Sequence, residues 1–166
     1  MDDKTNSLAS SLTAGLCGAA ALTAIHQLAT RVTDNAPRMD VLGERAISRG
    51  LEAAGEGVPP QPVLHRWALV GDLLANSAYY SLVAAGDPAH YWRRGAALGL
   101  AAGAGALVLP RPMGLGDPPK SDSFANKIMT VSWYLLGGLV AAAVASRGTG
   151  AARRSSPGGS RQPSYT

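Results

Sequence analysis

Cysteine and phenylalanine are almost absent from this 166-residue chain, in which each occurs once. The single cysteine, Cys17, excludes an internal disulfide, so no covalent cross-link within the chain stabilises its fold. Charged residues make up only 16% of the chain, whereas hydrophobic residues make up 46%. Soluble domains carry more charge than this, and the arrangement of the apolar residues therefore becomes the main question.

Common enzyme motifs are also missing. No phosphate-binding loop, nucleophile elbow or zinc-protease pattern occurs, so an enzyme is not predicted. The formal net charge of +4 comes without interleaved basic and aromatic residues, so nucleic acid is not an expected partner. Haem would need facing histidines within the membrane, and His65 is predicted at or outside the membrane interface. His26, His65 and Asp72 do not have the short-range spacing of a metal site. No cofactor and no metal are therefore predicted.

Long apolar segments are what the sequence does contain. Four of them are long enough to span a bilayer, which takes about 20 mostly apolar residues. The predicted helices cover residues 8–30, 65–86, 90–109 and 125–146. The first is interpreted as an uncleaved span, because Asp2 and Asp3 stand where a signal peptide is basic. The sequence thus predicts an all-α integral membrane protein with four transmembrane helices in a bundle.

The first loop contains a further helix, predicted over residues 37–54. Its charged residues, among them Asp40 and Glu44, fall on one face of the helix, which is therefore predicted to be the polar face. This arrangement predicts an amphipathic helix at the membrane interface, and a solvated helix packed on a soluble partner is the alternative. The apolar face is formed by residues that include Met39, Leu42, Ile47 and Leu51.

Residues 147–166 are basic and of low complexity, which predicts a disordered tail. With four spans, the N-terminus, the second loop and this tail share one side of the membrane. Basic residues are almost equally distributed between the two sides. However, Arg93 and Arg94 lie by the shortest loop, where the positive-inside rule is most reliable. Both termini are therefore expected in the cytoplasm.

Small residues recur at four-residue spacing in the predicted spans. Such faces allow helix backbones to approach closely in lipid, where the hydrophobic effect does not drive helices together. They serve either the chain's own bundle or the helix of a partner, and their number favours oligomerisation or a place in a larger complex. The predicted helix-packing residues are Gly95, Gly99 and Gly103 in the third span and Gly137 and Gly138 in the fourth.

Polar residues within the spans fall at similar depth when the rise of about 1.5 Å per residue is counted from the side of the long first loop. Asp72 is costly inside a membrane and needs a partner, for which His26 is the most natural candidate. The layer acts either as hydrogen-bonding contacts between helices, as a functional site, or as a contact to a partner subunit. The candidate residues are His26, Gln27, Asp72, Asn76 and Thr130, with Trp133 nearby.

The segment Ala36-Pro37-Arg38-Met39-Asp40-Val41-Leu42-Gly43 follows a first helix that is rich in small residues. In this respect the chain resembles small bacterial inner-membrane proteins of uncharacterised function. The resemblance covers the first two spans and the loop between them, and it implies a bacterial inner (cytoplasmic) membrane. It includes no catalytic motif, so it implies no role for any residue.

A structural or accessory role is the leading functional hypothesis. The chain would be a packing subunit or assembly partner of a membrane complex or homo-oligomer, with the lipid bilayer and other membrane-protein subunits or copies of itself as partners. The alternative is a small transporter or channel-like protein that uses the layer around His26, Asp72 and Asn76. A membrane-embedded ligand binder or sensor is the third possibility.

Overall fold

A computed structural model describes residues 2–120 and 122–155 of the chain. Within these residues the protein is all-α, as predicted, and contains no strand. Two short 3₁₀ turns, Leu82–Ala84 and Pro88–His90, lie between the third and fourth helices. The five helices are α1 (Asp2–Val32), α2 (Asp40–Ala53), α3 (Gln61–Ser81), α4 (Tyr91–Val108) and α5 (Phe124–Ser155).

Some helix ends differ from the predicted ones. The helix α1 already begins at Asp2, before the predicted start at residue 8. The helix α5 continues through residues 147–155, which the sequence pattern assigns to a disordered tail. Alanine and arginine are strong helix formers and can extend a helix that is already nucleated. The rest of the predicted tail, residues 156–166, lies outside the described residues.

Two of the described helices are long and apolar enough to cross a membrane. These segments are Ser7–Val32 of α1 and Phe124–Gly148 of α5. The other two predicted spans, in α3 and α4, do not meet the same criterion of length and composition. The helix α3 carries Asp72 and two basic residues, and α4 begins with a pair of arginines, which lowers the mean hydropathy of each helix.

Glycine residues bring α4 and α5 into direct backbone contact. Gly95, Gly99 and Gly103 are buried on the face of α4 that meets α5. A Cβ atom added at Gly99 would lie 2.7 Å from the Cα atom of Leu135, closer than real Cβ atoms approach a neighbour. Gly138 of α5 meets the backbone of Gly95 with equally little space. The helix separation at this interface therefore requires glycine.

The helix α1 makes similar contacts with two neighbours. Gly15 meets the backbone of α3 at Ser77. Gly18 meets α5, where an added Cβ would lie 2.6 Å from the carbonyl oxygen of Gly137. The helix α1 therefore packs closely against both α3 and α5. The alanines of the core around these contacts are Ala14, Ala19, Ala141, Ala142 and Ala145.

Two adjacent tyrosines join α3 to the remaining helices. The hydroxyl of Tyr80 donates a hydrogen bond of 2.7 Å to the carbonyl oxygen of Tyr134 in α5. The hydroxyl of Tyr79 donates to the carbonyl oxygen of Leu98 in α4 at 3.0 Å. Because Tyr80 is fully buried, its bond also satisfies a hydroxyl that water cannot reach. These bonds fix the rotation of α3 about its axis.

The two long connections fold together at one end of the bundle, and we call residues 33–60 and 109–120 the loop cap. Arg45 of α2 donates hydrogen bonds to the carbonyl oxygens of Leu115 at 2.8 Å and Asp117 at 2.9 Å. These bonds hold the Pro- and Gly-rich third connection against α2. The third connection thus has a fixed path, although its sequence shows no periodicity that would predict one.

The variant Gly99→Ala should destabilise the bundle, because its methyl group has no room against Leu135. Overpacking of this kind costs about 1 to 3 kcal/mol. Gly71→Ala in α3 is the matched control, since nothing lies within 4 Å of a Cβ at that position. Denaturation of the detergent-solubilised chain by SDS, followed by circular dichroism, measures both variants. Equal unfolding midpoints would contradict the close contact between α4 and α5.

Candidate functional site

A small cavity lies beneath the loop cap, between α1, α2, α3 and α5. The centres of water molecules can occupy about 40 Å³ of it, which is room for about two or three waters. Apolar side chains form part of its wall, and polar or aromatic ones form the rest. The polar and aromatic residues are Thr23, His26, Asp40, Asp72, Trp133 and Tyr134.

Asp72 forms part of the cavity wall and takes its hydrogen-bond partner from its own helix. The side-chain nitrogen Nδ2 of Asn76 donates to Oδ1 of Asp72 at 2.8 Å and to its carbonyl oxygen at 3.0 Å. The spacing of four residues places both side chains on one face of α3. The sequence favours His26 as the partner of Asp72, whereas the hydrogen bond to its carboxylate comes from Asn76.

His26 instead connects α1 to the loop cap. Its Nε2–H donates to the carbonyl oxygen of Pro37 at 3.1 Å. A carbonyl oxygen can only accept, so this bond places a proton on Nε2. The imidazole also packs against Trp133 of α5, with the ring centroids 5.5 Å apart. His26 and Asp72 therefore line one cavity without bonding to each other.

Besides Asn76, which reaches the cavity only through its bond to Asp72, two of the predicted polar residues do not line this cavity. Gln27 is half-buried, and its side chain does not contribute to the lining. Thr130 is fully buried, but its hydroxyl donates to the carbonyl oxygen of Asn126 in its own helix at 3.0 Å. The predicted set is thus divided. The members at the cavity are His26, Asp72 and, through its bond to Asp72, Asn76.

One hydroxyl at the cavity lacks a partner among the described residues. The Oγ1 atom of Thr23 is buried and makes no hydrogen bond to the protein, and Thr23 belongs to the cavity lining. Buried side-chain oxygens are almost always hydrogen-bonded to protein or to ordered water. A water molecule in the cavity could provide that partner.

A second polar group lies in the loop cap and the first turns of α3. The Nδ1 atom of His65 lies 2.7 Å from Oε1 of Glu44 and 3.9 Å from Oδ2 of Asp40. Gln61 donates from Nε2 to the other oxygen of Glu44 at 2.6 Å. One ligand-type atom from each of Asp40, Glu44 and His65 lies within 4.8 Å of the other two. We call these three residues the Asp40–Glu44–His65 cluster, and they could hold a metal ion.

Arg38 provides positive charge at this cluster. Its guanidinium donates to both carboxylate oxygens of Asp40, with the shortest bond at 2.8 Å. Burial by itself would raise the pKa of Asp40. The hydrogen bonds and the charge of Arg38 outweigh burial, with smaller contributions from two histidines, so the pKa lies below its ordinary value. Asp40 is therefore ionised near neutral pH.

The sequence pattern misses this cluster because it assigns Glu44 to the polar face of α2. That expectation is wrong, since Glu44 is only 7% exposed and faces α3. The sequence does contain one signal for this cluster, the neighbouring Gly43. A Cβ atom added at Gly43 would lie 3.2 Å from the Cβ atom of Ala68, so glycine at this position lets α2 approach α3. The predicted apolar-face residues are all half-buried, namely Met39, Leu42, Ile47 and Leu51.

Comparisons with protein-family models, with curated proteins and with solved structures find no match for this chain. No residue role is therefore transferred from another protein. The functional proposal depends on the geometry of the bundle, the cavity and the loop cap.

The variant Asn76→Ala should destabilise the bundle by about 1 to 3 kcal/mol, because it leaves the carboxylate of Asp72 without its donor. Ser77→Ala is the matched control, since the hydroxyl of Ser77 bonds only to the Leu73 carbonyl of its own helix at 2.6 Å. Denaturation in detergent measures both variants. The double variant Asp72→Ala/Asn76→Ala should regain part of the loss. Equal stability of the two single variants would contradict a stabilising Asp72–Asn76 pair.

Proposed function

We propose that this chain is an integral membrane protein in which α1, α3, α4 and α5 all span the bilayer. Large hydrophobic side chains are exposed on each of these helices. Soluble monomers rarely leave such side chains exposed on every long helix, whereas lipid would cover them. The exposed residues include Leu12, Leu16, Val70, Leu74, Leu100, Ile128 and Leu136.

The contacts between the helices support the same setting, because small residues form many of them. Glycine and alanine dominate the contacts between α1, α4 and α5, while many leucine, isoleucine and valine side chains point outward. Water would drive the larger side chains inward. In lipid, close packing of small residues is what holds helices together. The distribution of side-chain size therefore favours a membrane over water.

The charges of α3 and α4 are compatible with spanning. Arg93 and Arg94 lie in the first turn of α4, and His65 and Arg66 lie near the start of α3. Long basic side chains at such positions can extend to the membrane surface. Asp72 lies deeper, but it faces the bundle and is hydrogen-bonded within its helix. The basic groups that lower the hydropathy of these helices thus lie near helix ends, and the one acidic group is hydrogen-bonded inside the bundle.

Within the membrane, we assign the chain a structural or accessory role, as a packing subunit or assembly partner of a complex or homo-oligomer. The observation that carries this proposal is the closed core on the side away from the loop cap. There, Tyr80, Val83, Ala14 and Ala141 are all fully buried and pack into one cluster. This apolar packing on the side away from the cavity favours a structural role over a conduit.

The glycine faces do not by themselves require a partner. Gly95, Gly99 and Gly103 meet α5, and Gly18 meets Gly137, so these faces are used within the bundle. The close approach that these five glycines allow is accounted for by the contacts of a single chain. A partner subunit would therefore meet the larger apolar side chains of the outer surface.

A small transporter or channel-like protein is the second candidate function. It is favoured by the cavity that His26 and Asp72 line and by the unsatisfied hydroxyl of Thr23. Ionisable groups within spans often mark ion or proton pathways. In this alternative, the cluster around Tyr80 and Val83 would have to open during transport.

Four spans predict that the two loop-cap connections lie on one side of the membrane and the α3–α4 turn on the other. We place both termini in the cytoplasm of a bacterial cell and the loop cap outside the inner membrane. In a Cys17→Ala background, Glu56→Cys and Pro112→Cys should react with a membrane-impermeant thiol reagent from outside. Ala89→Cys should react only after permeabilisation. Labelling of all three from the same side would contradict spanning by α3 and α4.

The structural role is tested by reconstitution and by native mass. Proteoliposomes with the wild-type chain should show no proton or cation flux above protein-free liposomes. Chains extracted in lipid particles should have a native mass above that of one chain. Flux that Asp72→Asn abolishes would establish the transport alternative, with Ser77→Ala as the control. A lone monomer in native lipid particles would overturn the subunit role.

A further inference from the structure

The Asp40–Glu44–His65 cluster carries an inference that goes beyond the structural role and is independent of it. We propose that these three side chains bind a divalent first-row transition-metal cation, held between α2 and α3. Two carboxylate oxygens and one imidazole nitrogen suit ions such as Zn²⁺ and Mn²⁺ better than Ca²⁺ or Mg²⁺, which prefer oxygen alone. The sequence predicts no metal because these ligands come from two helices, with only Asp40 and Glu44 near each other.

The donor atoms are already spaced close to a coordination geometry. His65 Nδ1 lies 2.7 Å from Glu44 Oε1 and 3.9 Å from Asp40 Oδ2. Donors bound to tetrahedral zinc, with bonds of about 2.0 to 2.2 Å, lie about 3.3 to 3.6 Å apart. The two measured distances lie on either side of this value. Small rotations of the three side chains, whose donor atoms lie within 4.8 Å of one another, would therefore admit the ion. The ion would replace the proton on Nδ1 of His65, which would be released to solvent.

The charge and burial of the cluster favour a cation. The side chains of Asp40 and Glu44 are only 5% and 9% exposed. Two carboxyl groups held side by side away from water are costly without compensating positive charge. Arg38 contacts Asp40 but makes no hydrogen bond to Glu44 among the described residues. A divalent ion between the two carboxylates would compensate both.

Outer contacts orient the ligands. Gln61 holds Oε2 of Glu44 at 2.6 Å and leaves Oε1 directed towards His65. Such partners fix the direction of a metal-binding carboxylate. Arg38 has the opposite effect at Asp40, because it donates to both oxygens and would compete with the metal for Oδ2. Gln61 is thus a positioning residue, and Arg38 is a competitor.

The ion has a path of entry and an open coordination position. The side chain of His65 is 34% exposed, and a groove of about 320 Å³ between α2 and α3 is lined by Glu44 and Gln61. Three protein ligands leave one position of a tetrahedral ion for water or a small anion. Asp40 also belongs to the wall of the cavity beneath, so the metal would border that cavity.

Zinc binding to the purified full chain in detergent micelles tests the proposal by isothermal titration calorimetry. We expect one Zn²⁺ per chain, and at least tenfold weaker binding for Glu44→Gln and for His65→Asn. His90→Asn is the matched control, because His90 lies 3.6 Å from Asp87 in a pair outside the cluster and should leave affinity unchanged. Co²⁺ in place of Zn²⁺ should give visible absorption bands that His65→Asn removes.

Absence of Zn²⁺ binding, or equal binding by the wild type, Glu44→Gln and His65→Asn, would overturn the proposal. If Glu44→Gln and His65→Asn do not fold, Arg38→Ala decides, because removing the competitor should tighten Zn²⁺ binding several-fold. Unchanged or weaker binding by a folded Arg38→Ala chain would then overturn it. These outcomes are separate from those of the flux and native-mass measurements.

Discussion

Direct contact between helix backbones at α5 is the constraint on which the bundle depends. Gly95 of α4 meets Gly138 of α5, and Gly18 of α1 meets Gly137 of α5. A contact without side chains leaves no room for one helix to slide along the other. The register of the helices is therefore fixed at these points. That register sets the level at which the polar groups of α1, α3 and α5 meet beneath the loop cap.

The helices and their packing faces are the part of the fold that the sequence predicts. Apolar length and four-residue spacing are local properties, so residues 90–109 alone predict a helix with a glycine face, and this face is the one that meets α5. The ends of helices are less predictable. The helix α5 passes Gly148, a poor helix former, because a helix that is already nucleated can continue through such a residue to the alanines and arginines that follow. The setting of the helices in lipid stays a prediction.

The site is predictable only as far as depth along the helices determines it. Counting the rise per residue places His26 and Asp72 at one level, and both line one cavity. Depth does not decide between a partner on a neighbouring helix and a partner four residues away on the same helix. Asp72 and Thr130 both take a partner of the second kind, Asn76 and the carbonyl oxygen of Asn126. The position of Glu44 depends on how α2 packs against α3. A hydrophobic pattern within α2 cannot contain that information.

The bond from Arg45 to the third connection has a consequence for the order of assembly. Its acceptors, Leu115 and Asp117, lie 70 and 72 residues further along the chain. During synthesis, α1, α2 and α3 are complete well before these acceptors exist. Until then, α2 lacks its hydrogen bonds to the third connection. The third connection can hold α2 only after α4 has been made. The cavity wall is completed later still, because Trp133 and Tyr134 of the last helix, α5, form part of it.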